Sequence, residues 1–164
     1  MKRILLLAAV AASLALPAFA AEITRDNVLQ AMNTYRAEQG LPPLKFDARL
    51  QKATDDRMRD MEELEYWAHE SPDGRSPFSW LRAESYDFSF AGENLACGFE
   101  TNEVLVQSWM ESPGHRDNIM SPEYTECGIT IIDGSTRGRA AGKSVVVMFG
   151  RPRNGDVQQT ASKK

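Results

Sequence analysis

Apolar residues recur with helical spacing in the first half of the chain and in unbroken β-branched runs near its end. Val28, Leu29, Met32 and Tyr35 fall on one face of a helix that Thr24 or Asp26 can cap and that Gly40 stops. Leu41-Pro42-Pro43-Leu44 cannot continue it. Asp47 caps a second helix with Leu50, Ala53, Met61 and Leu64 on one stripe. The charges from Asp55 to Glu65 read as its solvated face. Ser71-Pro72-Asp73-Gly74 is a turn by composition, and Ser76-Pro77 reads as the cap and first position of a short helix through Phe78, Trp80 and Leu81. Tyr86, Phe88 and Phe90 alternate in an extended segment leading to Gly92, with Leu95 and Ala96 continuing as a short strand. Thr101 caps a further helix that carries Val104, Leu105 and Trp109 inward, and Pro113-Gly114 ends it. Cys127 to Ile132 and Ser144 to Phe149 form a hairpin with a long connection. Helices early and strands late predict an α+β fold, with helices packed on an antiparallel sheet.

The N-terminus adds a processing signal to this picture. Lys2 and Arg3 precede an apolar run from Ile4 to Leu16, and Ala18-Phe19-Ala20 is an A-x-A cleavage pattern. Residues 1–20 are therefore expected to be a signal peptide cut near Ala20, which makes the product secreted, periplasmic or extracellular. A retained anchor is the alternative, though the run is short for a membrane span. Residues 21–154 suit one domain with one core, and 155–164 read as a flexible tail. No membrane span is expected after cleavage, and a monomer is the expected state. The formal net charge is −4, and loss of Lys2 and Arg3 makes it two units more negative. That balance argues against nucleic acid as a partner and against simple docking to anionic lipid. Cys97 and Cys127 enter an oxidising compartment together, so one disulfide between them is expected, adding about 3–4 kcal/mol; the alternative is two buried free thiols.

The densest chemistry lies between His69, in His69-Glu70-Ser71-Pro72-Asp73-Gly74-Arg75, and His115, in Ser112-Pro113-Gly114-His115-Arg116-Asp117-Asn118-Ile119. With Gly92-Glu93-Asn94-Leu95-Ala96, Ser108-Trp109, Cys127-Gly128-Ile129 and Tyr35-Arg36…Gly40-Leu41-Pro42-Pro43-Leu44, these motifs resemble a CAP-superfamily (SCP-like) domain of the secreted bacterial branch. The resemblance covers about residues 26–150. It implies an α-β-α sandwich with a central antiparallel sheet between helical layers. It also implies a cleft site carrying over His69, Glu93 and His115 from the two-His, two-Glu set of the eukaryotic branch. The fourth position is Ser112 here, with Glu111 one residue early, so whether Glu111 joins the site is open. The late Trp-Thr-Gln of many relatives is also missing, replaced by Ser144-Val145-Val146-Val147-Met148-Phe149.

A His–Glu–His set suits Zn²⁺ or another divalent metal with one position left for water. The competing reading makes Glu93 a scaffold residue and the histidines its hydrogen-bond partners. Ser71 and Ser112 lack a nucleophile signature and read as turn or cap residues. Arg116 and Asn118 either orient a ligand or pin the loop after the helix. Tyr66, Trp67, Phe78, Trp80 and Trp109 read mostly as core, with Tyr66 or Trp67 a candidate for the cleft wall. The expected function is a secreted CAP-domain protein that binds an envelope, lipid or protein ligand, with or without a metal. The alternative is a secreted metal-assisted hydrolase.

Overall fold

A computed structural model of the chain describes residues 21–134 and 141–153. The expected signal segment, the cleavage at Ala20 and the tail lie outside the described residues. Elements run α1 (Arg25–Glu38), β1 (Lys45–Phe46), α2 (Ala48–Glu63), α3 (Ser79–Ala83), β2 (Phe88–Phe99), α4 (Asn102–Glu111), α5 (Pro113–Met120), β3 (Glu126–Asp133) and β4 (Lys143–Pro152). Among the described residues the strands make one sheet in the order β1-β3-β4-β2. β2 and β3 both run antiparallel to β4, while the two-residue β1 runs parallel to β3. The α+β architecture is as expected, and its sheet is antiparallel apart from β1.

β4 is the spine. Ser144 to Gly150 are all buried, because both faces of this central strand are covered. Alternation then sorts its side chains. Val145, Val147 and Phe149 join a core built with Val28 and Met32 of α1, Leu105 and Trp109 of α4 and Ile119 of α5. Val146 and Met148 point the other way, toward Leu50, Ala53, Met58 and Met61 of α2 and Trp80 and Leu81 of α3. Two helical layers thus enclose the sheet, each driven by burial of an apolar stripe. Gly128 sets how close α2 can lie, since a Cβ there would stand 2.3 Å from the Leu50 carbonyl.

Local signals place the helix starts. Thr24, Asp47 and Thr101 each accept backbone N–H bonds at the N-termini of α1, α2 and α4. Three expectations change. Pro113 does not merely end a helix: α4 closes at Ser112 and α5 begins at once with Pro113 at its first turn, where a missing N–H costs nothing. His115 therefore sits inside a helix. The short helix starts at Ser79, not at Pro77, and Phe78 at its cap makes no side-chain cap bond. Gly92 lies within a single 12-residue strand, not at the entry to a short one.

The expected disulfide is also corrected. Cys97 and Cys127 are free thiols, one exposed and one buried. Cys97 lies opposite Ser144 and Cys127 opposite Phe149, on strands to either side of β4. Five residues along the strand and two strand spacings separate them by on the order of 20 Å, against an upper limit of about 7 Å for bridged Cα atoms. Burial pushes the Cys127 thiol up to about 12, so it is also unreactive. Native protein treated with iodoacetamide without reductant should be modified at Cys97 and become modified at Cys127 only on unfolding. Recovery of a Cys97–Cys127 peptide pair by non-reducing mass spectrometry would show this arrangement of strands to be wrong.

Candidate functional site

The candidate residues meet at β2, the edge strand farthest from β1. Successive residues of this strand face opposite layers. Glu93 turns toward α2 and Asn94 toward α5. Glu93 is 5% exposed, and both of its carboxylate oxygens are engaged. Oε2 accepts from Arg57 Nε at 3.1 Å, and Oε1 pairs with His69 Nδ1 at 2.7 Å.

Arg57 is the residue that sequence reasoning missed. It stands in the charged stretch assigned to the solvated face of α2, yet it has no exposed surface. Its guanidinium also donates to Tyr66 Oη, to the Ala68 carbonyl and, at 2.9 Å, to the His69 carbonyl. It lies 4.8 Å over the Trp80 ring and 5.3 Å from the Tyr66 ring centroid. The one available signal was periodic: Arg57 follows Ala53 by four residues and precedes Met61 by four, on the buried stripe of the same helix.

The end of α2 delivers the other partners. Glu65 adopts a left-handed φ of 51°, and the Tyr66 N–H bonds back to the Met61 carbonyl. That reversal turns Tyr66 under the helix end, where its hydroxyl meets Asp60 Oδ2 at 2.5 Å and Ser71 Oγ at 3.0 Å. Arg75 closes the turn by donating to Asp60 Oδ1 at 2.8 Å. Ser71 is thus a buried turn residue and not a nucleophile beside a base. Tyr66 belongs to the support of the site rather than to an open wall.

His115 approaches from the other layer. Its ring packs against Trp109 with centroids 6.3 Å apart, and its carbonyl accepts from Asn94 Nδ2 at 3.1 Å. Asn118, one turn on, donates to the Glu93 carbonyl at 3.1 Å and to Asn94 Oδ1 at 2.8 Å. Asn118 is therefore the clip that holds α5 to β2. Gly92 makes room for it: a Cβ there would lie 2.6 Å from Tyr124 Oη and 2.8 Å from Asn118 Oδ1. Three β2 carbonyls, two residues apart, accept side-chain bonds: Ala91 from Tyr124 Oη, Glu93 from Asn118 and Leu95 from Trp109 Nε1. Alternate residues of an antiparallel strand point these groups to one side, so these are the carbonyls of the free edge, and the bonds cover it.

The two imidazoles differ in character. The Glu93 carboxylate raises the His69 pKa above its usual value, while its ring stays 60% exposed. Burial, with a further contribution from the charge of His69, lowers that of His115. Glu111 is exposed and bonds Gln107 at 2.8 Å; it lines a separate depression with Pro113, Arg116 and Met120. As arranged, Glu93 itself is not free to be a metal ligand. Among the described residues no three His, Cys, Asp or Glu side chains are grouped to hold a metal ion, and the oxygens of Glu93 are already spent.

Residues 29–149 match the model of the family described as CAP, cysteine-rich secretory protein family. The chain is 38% identical over 106 residues to YkwD, an uncharacterized protein of Bacillus subtilis, covering 65% of this chain and 41% of that protein. It thus spans about two fifths of that relative's length. Its fold is similar to that of an extracellular SCP-domain protein from Bacillus anthracis, with 25% identity and a TM-score of 0.65 over 77% of this chain and 39% of that one. It is also similar to an outer surface protein of Borrelia burgdorferi, with 19% identity and a TM-score of 0.69 over 82% of this chain and all of that one.

Arg57→Ala strands a buried carboxylate and should cost about 3–5 kcal/mol in urea unfolding; a loss under about 1 kcal/mol would mean the pair is solvated. Imidazole resonances followed against pH should show His69 titrating above and His115 below the ordinary value of about 6.5. Stability contributed by His69 is then present below about pH 6.5 and fades as pH rises through its raised pKa. His115 acts in the opposite sense: its buried neutral ring loses stability as pH falls below about 6.5. Titration in the reverse order would contradict the His69–Glu93 bond.

Proposed function

The chain belongs to the CAP family, and from that premise we propose that it is a secreted ligand-binding module of the bacterial SCP type, with His69 and His115 as its contact residues. The observation that carries this reading is the anchoring of His69. A buried carboxylate fixes one ring nitrogen, a buried guanidinium fixes the backbone carbonyl, and most of the ring remains exposed. A side chain held this way loses little rotamer entropy on meeting a ligand, which is how preorganised sites gain affinity. Asn118 and Trp109 hold His115 on the opposite layer, where its carbonyl meets Asn94 of β2.

The ligand class is an envelope component, lipid or protein, and the setting is outside the cytoplasm. The two structural relatives described as extracellular and as an outer surface protein support that setting. No helix among the described residues is long and apolar enough to cross a membrane. The second reading, a hydrolase, draws on the same bond: a histidine oriented by a carboxylate at Nδ1 leaves Nε2 to act as a general base. In that reading His69 is the base and Glu93 its orienter.

Isotope-labelled protein titrated with phosphatidylglycerol–phosphatidylethanolamine vesicles and, separately, with soluble muropeptides discriminates these readings. Saturable binding to one probe should shift the His69 and His115 resonances and weaken about tenfold or more in His69→Ala and His115→Ala with the fold retained. Binding that both variants leave unchanged would place the ligand elsewhere. Product release that is lost in His69→Ala would favour the hydrolase.

A further inference from the structure

We propose that Arg57 is the resident cation of this site: a guanidinium built into α2 that occupies Glu93, positions His69 and keeps the Glu93 carboxylate from serving as a metal ligand. The inference goes beyond the proposed binding role and holds whichever ligand the site takes.

It stands first on the bonding capacity of Glu93. Its side chain is 1% exposed, with Arg57 on one oxygen and His69 on the other. A metal could recruit this carboxylate only by displacing one of them. Arg57 has nowhere to go. It has no exposed surface, three further acceptors hold it, and the Trp80 and Tyr66 rings flank it. A displaced guanidinium would remain charged inside the core, because it does not deprotonate in proteins. His69 is the other partner, and moving its Nδ1 off Glu93 removes the bond that orients the ring.

The second ground is that Arg57 already does what a metal would do. It neutralises Glu93, and it fixes His69 twice, through Glu93 to the ring and directly to the backbone carbonyl. A metal bound in this position would exchange with solvent and respond to chelators; a covalently tethered guanidinium does neither. Arg57 is thus a positioning residue, acting through Glu93 on His69.

Zinc chloride titrated into chelator-treated protein tests this, with calorimetry and the Arg57 Nε–Hε resonance as readouts. In the wild type, excess zinc should leave that resonance in place. Arg57→Met, which frees the carboxylate, should gain about tenfold or more in zinc affinity, and Arg57→Met/Glu93→Gln should lose the gain. Loss of the Arg57 Nε–Hε resonance from its place on zinc addition to the wild type would mean that zinc displaces Arg57 from Glu93, and would overturn the proposal. A folded Arg57→Met that gains no affinity would overturn it too. Should the variants fail to fold, the resonance of the wild type decides alone.

Discussion

A buried arginine and a buried glutamate, facing each other across α2 and β2, constrain everything around them. Taking both charges out of solvent costs several kcal/mol per ion, and their attraction offsets that only when the geometry is good and the remaining donors are satisfied. Here Arg57 of α2 meets Glu93 of β2 and, in the segment after α2, Tyr66 Oη and two loop carbonyls, so three segments of the chain converge on it. None of those segments can move alone without stranding a charge. Packing of α2 on the sheet, reversal of the chain after Leu64 and the register of β2 must therefore be correct together. The loop that carries His69 is thereby ordered by the same bonds that close the core.

The edge strand β2 then converts one-dimensional alternation into a site shared by two layers. Glu93 and Asn94 are adjacent in sequence and face opposite sides of the sheet. Glu93 engages α2 and the His69 loop; Asn94 engages α5 and the backbone of His115. An interior strand could not do this in the open, since both of its sides would be paired and covered, as β4 is. An edge strand leaves its outer carbonyls exposed, which is a liability for unwanted pairing. Tyr124, Asn118 and Trp109 cover them, and two of the three also position His115. Edge protection and site construction are thus performed by the same side chains.

What could be read from the sequence follows the range of the forces involved. The caps Thr24, Asp47 and Thr101 act within three residues, and each lies where local patterning puts it. The uninterrupted apolar run of β4 reflects burial on both faces, a property of the strand itself. Pro113 was ambiguous because proline both breaks a preceding helix and favours the start of the next, and only the path of the chain chooses between them. The two cysteines suggested a bond by number and compartment, but their distance depends on the strand order, with β4 inserted between β2 and β3. Arg57 was hidden for a different reason. A charge on a helix is normally solvated, and its burial becomes tolerable only once Glu93, 36 residues away, arrives to meet it. Convergence of His69, Glu93 and His115 likewise came from the family resemblance and not from spacing.

A second buried arginine clarifies what the first does. Arg36 also has no exposed surface, yet it donates to the carbonyls of Pro42, Ile119, Ser121 and Tyr124. Two of those acceptors lie at the C-terminal end of α5, where the helix dipole favours a positive charge. Burial lowers the pKa of Arg36, the expected sign for a cation matched by dipoles alone. Arg36 therefore ties α1 to the end of α5 and so fixes the helix that carries His115, while Arg57 fixes the loop that carries His69. Each imidazole is positioned by a guanidinium in its own layer, but only Arg57 spends its charge on a carboxylate. That asymmetry explains why the two rings titrate in opposite directions. His69 reports the negative charge that Arg57 holds in place, whereas His115, anchored by neutral groups, reports burial and the nearby charge of His69.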